Sequence, residues 1–142
     1  MSVNNPHYLV DQQSAEIQQL VATNQLKGPM FVGQGLVQYV GSDCYGYYIV
    51  ATKQIGNKTI YGITGANAIM HGDWIDGDMD CSINIDTAKP TQWIIARGKI
   101  HRYGKTIDAP QYWYCDANGV RFPGRKASFG WNGAYAYQDP SF

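Results

Sequence analysis

The stretch QWIIARGKIHRY, residues 92–103, decides the fold of this chain, because it is the clearest β-strand in the sequence. Isoleucine and aromatic residues favour extended backbone, and successive side chains of a strand point to opposite faces. One face is then small and apolar, as a core requires, whereas the other carries cations between aromatic ends. The apolar face holds Ile94, Ala96, Gly98 and Ile100, and the other face holds Trp93, Ile95, Arg97, Lys99, His101 and Tyr103.

Two β-hairpins are predicted on either side of this strand. Residues 47–55 and 59–64 are rich in aromatic and β-branched residues, and they flank a short turn. Residues 112–115 and 120–122 flank an Asn-Gly pair, which supplies the positive φ angles of a tight turn. Shorter elements are expected as strands over residues 30–32, 36–40, 81–85 and 106–108, a helical turn over 66–70, an acidic loop over 73–80, and one short strand in the tail after 123.

One helix is predicted ahead of all the strands. Asp11 is a suitable N-cap, and Ile17, Leu20 and Val21 form one apolar stripe at helical spacing. The pair at residues 28–29, Gly-Pro, stops a helix. The stripe predicts that the helix packs its apolar side on a sheet.

These elements predict a single domain over residues 1–142 of the α+β class. Its main part is expected to be an antiparallel β-sheet or an open β-barrel, with the N-terminal α-helix packed on it. A β-sandwich is the alternative architecture.

Composition places the chain among globular proteins and excludes several other classes. Apolar residues make up 44% and charged residues 15%, so a core can form without disorder. No run approaches the roughly 18 apolar residues that a membrane helix needs, and the N-terminus does not resemble a secretory signal. Cys44, Cys81 and Cys115 are odd in number and widely spaced, which favours reduced thiols over a disulfide framework. We therefore expect a cytoplasmic protein.

Charge is divided unevenly along the chain although the net charge is zero. Residues 1–88 carry three basic and eight acidic side chains, a net charge of −5, and residues 89–142 carry eight basic and three acidic ones, a net charge of +5. Opposite charges on the two halves predict a homo-oligomer held by contacts between the acidic half of one copy and the basic half of another.

The candidate ligand site combines the polar face of residues 92–103 with a second basic cluster at residues 121–126. Arginine and lysine pair with phosphate, sulfate or carboxylate, and tryptophan and tyrosine stack on rings. Gly124 lies between two arginines of the cluster and permits close backbone approach. The predicted ligand-binding residues are Trp93, Arg97, Lys99, His101, Tyr103, Arg121 and Arg125.

Metal and catalytic motifs are sparse. The acidic residues of 73–80 do not follow the spacing of an EF-hand calcium loop, and no histidine-rich motif occurs. A cysteine–histidine pair built from His71 or His101 with Cys81 would suit a hydrolase, but no nucleophile motif accompanies it. We predict no cofactor, no metal site and no catalytic residue.

Three functions follow, in order of support. The first is a non-enzymatic protein that binds a small anionic, ring-containing ligand, nucleotide-like or a charged sugar. Nucleic-acid binding is a branch of it that would depend on the local basic patch and weaken steeply with salt. The second is a structural, self-assembling protein such as a viral-particle or shell component, and the third is a small hydrolase or transferase.

Overall fold

A single antiparallel sheet of nine strands dominates the computed structural model, which describes residues 14–70 and 78–138. The strands are β1 (Gly35–Val40), β2 (Asp43–Ile55), β3 (Lys58–Gly65), β4 (Asn67–Met70), β5 (Asp78–Ser82), β6 (Gln92–Arg102), β7 (Lys105–Cys115), β8 (Arg121–Ala127) and β9 (Ala136–Tyr137). Their order in the sheet is β4-β5-β9-β2-β3-β6-β7-β8, and β1 pairs with β2. Because all strands of the described ranges share one sheet, the β-sandwich alternative is wrong.

The sheet curls into a half-barrel, which confirms the α+β class. Beyond the end of β8, Gly130 forms a bridge with Val37 of β1, with backbone hydrogen bonds of 2.9 and 2.8 Å. The face inside the curl carries the largest buried cluster, namely Leu36, Ile49, Ile63, Ile94, Tyr114 and Ala127. Phe129 and Trp131 pack against this cluster and fill the gap on the side where β8 approaches β1.

The helix, α1 (Ala15–Ala22), is shorter than the sequence predicted. Ser14 has extended backbone angles and its hydroxyl accepts a hydrogen bond from the Ile17 N–H at 3.2 Å, so Ser14 is the N-cap. The predicted cap, Asp11, lies outside the described residues. The helix ends well before Gly28, because Asn24 adopts a left-handed conformation with φ of 53°.

The apolar stripe of α1 is confirmed. Its three members pack on Leu26, Phe31 and Trp131, which attach the helix to one side of the half-barrel. Within the described ranges, no helix combines the length and the apolar character that crossing a bilayer requires.

Both predicted hairpins form. Strands β2 and β3 pair from Ile49 opposite Ile63 to Ile55 opposite Lys58, and β7 and β8 pair across the turn at Asn118-Gly119, where Gly119 has φ of 81°. The expected segments 106–108 and 112–115 are parts of one long strand, β7, because its pairing with β6 continues through them.

Three short elements were predicted wrongly. Residues 67–70 form a strand instead of a helical turn, because they pair with β5. Residues 30–32 form no strand, since their loop is held by the side chain of Gln34, and the strand expected at 81–85 ends at Ser82. Residues 71–77 of the expected acidic loop lie outside the described residues, and residues 78–80 belong to β5.

The decisive strand, β6, is confirmed, but its alternation stops halfway. Gly98 has φ of 72°, and the register places Ala96 opposite Tyr112 but Lys99 opposite Pro110. One extra residue is therefore accommodated in β6, which is a β-bulge. From Lys99 onward the side chains have exchanged faces, so Lys99 shares the face of Ala96 and not that of Arg97.

Candidate functional site

The candidate site is a pocket of about 270 Å³ on the face of the sheet opposite the main core. We call this the outer face; it carries Ile95 of β6 and Trp113 of β7, which lie opposite each other in the register. The inner face carries Ile94 and Tyr114. The lining residues of the outer pocket are Ile55, Lys58, Ile95, Ala96, Arg97, Gly119 and Arg121.

The turn between β7 and β8 forms one wall of this pocket. Asp116 holds the turn, because its Oδ1 accepts hydrogen bonds from the N–H groups of Asn118 and Val120 at 2.8 and 2.9 Å. Gly119 then lies close to the first hairpin, and a Cβ on it would be 3.5 Å from the Ile55 side chain. Lys53 secures the approach by donating to the Ala117 carbonyl at 2.8 Å. A surface between two hairpins thus becomes concave.

Three cations enter the outer pocket from three different strands. Lys58 reaches across from β3 and donates to the Ala96 carbonyl at 3.3 Å. Arg97 precedes the bulge, where the indole Nε1 of Trp113 donates to its carbonyl oxygen at 2.9 Å and fixes the backbone. Arg121 comes from β8, with its guanidinium carbon 4.6 Å from the centre of the Trp113 ring. Stacking on tryptophan orients a guanidinium while leaving its in-plane N–H groups able to bind an anion.

Arg121 shows that this cluster of cations is incompletely satisfied. Its Nε is buried and has no hydrogen-bond partner, which is uncommon for a buried donor. No carboxylate lines the outer pocket within the described part of the chain. Lys126 adds further positive charge, since its Nζ lies 5.8 Å from the centre of the same Trp113 ring. The arrangement suits an anion with several acceptor oxygens.

The structure divides the seven predicted site residues among three places. Arg97 and Arg121 meet in the outer pocket, whereas Trp93 and Arg125 line a second pocket at the end of the β6–β7 ladder. Lys99, His101 and Tyr103 belong to the far half of β6 and its turn. Lys99 forms an ion pair with Asp108 at 3.1 Å, and Tyr103 is fully exposed.

Distance along the strand separates the two rings that were expected to stack on one ligand. Trp93 and Tyr103 are ten residues apart, which is about 33 Å of extended chain at roughly 3.3 Å per residue. A small ligand cannot touch both. The far half of β6 is therefore not part of the outer pocket, and His101 makes its contact there with Thr106, whose Oγ1 is 3.0 Å from Nδ1.

Sequence reasoning missed Trp113 and Lys58. Trp113 alternates with Tyr112 and Tyr114 in β7, so a face could have been assigned to it, but the pairing with Ile95 depends on the register between two strands. Lys58 was treated as a turn residue of the first hairpin, and only the curl of the sheet carries it over Ala96.

The thiols and metal ligands give no catalytic arrangement. Burial, with a smaller effect of Asp116, raises the pKa of Cys115 to about 11, and burial followed by Asp43 raises the pKa of Cys44. These thiols are protonated near neutral pH and are poor nucleophiles. His71 lies outside the described residues. Among the residues that are described, no three histidine, cysteine or acidic side chains come together as a metal site would require.

Comparison with protein-family models, with curated proteins and with solved structures finds no match for this chain. The function is therefore argued from the geometry of its own residues.

Proposed function

We propose that the protein is a non-enzymatic binding protein for a small anionic, ring-containing ligand, nucleotide-like or a charged sugar, held in the outer pocket. The observation that carries the proposal is the convergence of Lys58, Arg97 and Arg121 on a concavity whose lining contains no carboxylate. The anionic group would accept hydrogen bonds from the two guanidinium groups and the ammonium group. The ring would pack on Ile55 and Ile95, which form the apolar part of the lining.

A phosphate is the anion that this lining favours. Phosphate presents three acceptor oxygens and carries more than one negative charge near neutral pH, so three cations can engage it together. The pocket volume lies slightly below the roughly 300 Å³ typical of the smallest ligand pockets, which favours a monophosphate over a larger molecule.

Isothermal titration calorimetry with AMP, ADP and glucose 6-phosphate tests the proposal. We expect saturable binding that weakens as salt rises, because exposed charges are screened. Arg97→Gln and Arg121→Gln should each weaken binding at least about tenfold, the loss expected for one charge-assisted contact. Lys99→Gln is the matched control, since Lys99 is two residues away on the other face and should leave affinity unchanged.

Two results would contradict this proposal. One is the absence of binding for all three probes at millimolar concentration with a folded protein. The other is an equal loss in Lys99→Gln and Arg97→Gln, because a nonspecific charge effect does not depend on the face that a side chain occupies.

A structural, self-assembling role, as in a viral particle or shell, has an observation of its own in support. Tyr39, Val40 and Tyr45 cluster at the β1–β2 turn and are exposed by 67%, 51% and 48%. Exposed apolar groups of this size favour protein–protein contact. Light scattering at low and high salt tests the role: an oligomer that dissociates in salt supports contacts between acidic and basic halves, and a monomer at every salt concentration excludes assembly.

An intracellular location remains part of the proposal. All three cysteines are free, as expected for a reducing compartment. Cell fractionation of the tagged full chain tests the location.

A further inference from the structure

A second pocket lies at the end of the ladder where β6 begins and β7 ends. Its volume is about 250 Å³, and it shares no lining residue with the outer pocket. We call it the end pocket. Its lining includes Gln92, Trp93, Tyr114, Asp116, Phe122 and Arg125.

Three aromatic rings give the end pocket its apolar surface. The backbone of Trp93 pairs with Gly62 of β3, and the absence of a side chain on Gly62 leaves room for the indole. A Cβ there would be 3.2 Å from Trp93 Cη2 and 2.6 Å from Pro90 Cβ. Tyr114 and Phe122 supply the other rings. The negative faces of aromatic rings attract the polarised C–H groups of a saturated ring.

Arg125 is held in place by two of these rings. Its guanidinium carbon lies 5.6 Å from the centre of the Tyr114 ring and 6.0 Å from the centre of the Phe122 ring. A guanidinium held this way loses little conformational freedom on binding, and its planar N–H groups match the two oxygens of a carboxylate.

Asp116 decides which kind of anion the end pocket accepts. Its Oδ1 is used by the β7–β8 turn, and Oδ2 receives no hydrogen bond within the described residues. That oxygen is an acceptor for a hydroxyl group, and Gln92 offers both a donor and an acceptor. The negative charge of Asp116 opposes a phosphate with two charges more than a carboxylate with one. The outer pocket, which no carboxylate lines, has the opposite preference.

We propose that the end pocket is a separate ligand site for a saturated sugar ring that carries one carboxylate. The carboxylate pairs with Arg125, the hydroxyl groups bond to Asp116 and Gln92, and a C–H face of the ring packs on the aromatic side chains. This site is independent of the phosphate preference of the outer pocket.

Glucuronate titrated into the full chain, followed by two-dimensional NMR and tryptophan fluorescence, tests the assignment. We expect binding in the millimolar range, with shifts at Gln92, Trp93 and Arg125. Glucose, which lacks the carboxylate, should bind at least tenfold more weakly. Arg125→Gln should weaken glucuronate binding at least tenfold, and Arg125→Lys should recover only part of it, because lysine keeps the charge without the planar fork.

Arg97→Gln is the matched control, because it removes a cation from the outer pocket alone. It should change glucuronate affinity less than twofold, and Arg125→Gln should leave AMP affinity equally unchanged. Absence of saturable glucuronate binding, binding of glucose as tight as that of glucuronate, or equal losses in Arg97→Gln and Arg125→Gln would each overturn the assignment. None of these results depends on whether AMP binds, so failure of the outer pocket proposal is a separate outcome.

Discussion

The side-chain amide of Asn132 forms two hydrogen bonds with the backbone of Leu26. Its Oδ1 accepts from the Leu26 N–H at 2.8 Å, and its Nδ2 donates to the Leu26 carbonyl at 3.0 Å. The amide thereby imitates a strand partner and ties the segment after α1 to the segment after β8. Leu26 is buried, so these backbone groups lose their partners if the amide is removed.

Asn132→Ala is expected to lower the free energy of unfolding by about 1–3 kcal/mol, because two backbone groups lose their partners. Urea denaturation followed by circular dichroism measures the loss, and hydrogen exchange at the Leu26 amide locates it. Asn132→Asp, which keeps the acceptor, should retain more Leu26 protection than Asn132→Ala. Unchanged protection of Leu26 in the alanine variant would refute the role of this contact.

Gln34→Leu is expected to cost about 2–4 kcal/mol, although leucine has a similar volume. The fully buried Gln34 side chain accepts from the Met30 N–H at 2.7 Å and donates to the carbonyls of Gly28 and Trp131 at 2.9 and 3.0 Å. Its removal leaves three backbone groups without these bonds. The measurement is again the urea midpoint.

A glutamine of the neighbouring strand provides the control for this loss. Gln38 accepts a single hydrogen bond, from the Tyr47 hydroxyl at 3.1 Å, and is only half-buried. Gln38→Leu should cost less than about 1 kcal/mol. If the two variants lose equal stability, the network around Gln34 does not hold the loop.

Gly46→Ala tests the packing behind β2. A Cβ on Gly46 would lie 2.4 Å from the buried Cys81 Sγ, so the variant should lose about 1–3 kcal/mol through overpacking. Removing the sulfur in the double variant Gly46→Ala, Cys81→Ala should recover part of that loss, which a double-mutant cycle measures. Gly65→Ala, where nothing lies within 4 Å, should change little. Additive losses in the cycle would speak against this contact.

Stability is expected to fall at alkaline pH through Tyr112. Burial, with a smaller effect of Tyr61, raises the pKa of Tyr112 from its ordinary value of 10.0 to about 12. Between these values the folded chain keeps a proton that the unfolded chain has released, so the free energy of unfolding decreases as pH rises. The stabilisation is complete below about pH 10 and is lost by about pH 12.

Urea midpoints measured from pH 8 to pH 12 check this sign. Tyr112→Phe should make the decline between pH 10 and 12 shallower, whereas Tyr39→Phe, at an exposed position, should leave it as it is in the parent chain. A decline that is equally steep in both variants would mean that other groups cause it.

The prediction of the fold from sequence succeeded where neighbouring residues decide the conformation. Alternation identified β6, the Asn-Gly pair identified the β7–β8 turn, and helical spacing identified the apolar side of α1. It failed for residues 67–70, whose strand exists because β5 lies beside it.

The candidate site was predicted only in part, for a related reason. Arg97 and Arg121 were named from sequence and do meet, but Lys99 was assigned to their face because strict alternation was assumed across Gly98. Glycine permits the positive φ angle of a bulge without requiring it. Whether a bulge forms depends on the partner strand.

The sequence by itself determined a mainly β-structure with an N-terminal helix and a basic second half, because propensity, spacing and charge are properties of neighbouring residues. Only the tertiary structure decided which cations share a pocket. Strand register, the bulge at Gly98 and the approach of the β7–β8 turn to Ile55 depend on contacts between residues far apart in the chain. These contacts bring Lys58, Arg97 and Arg121 together around the outer pocket and leave Arg125 at the end pocket.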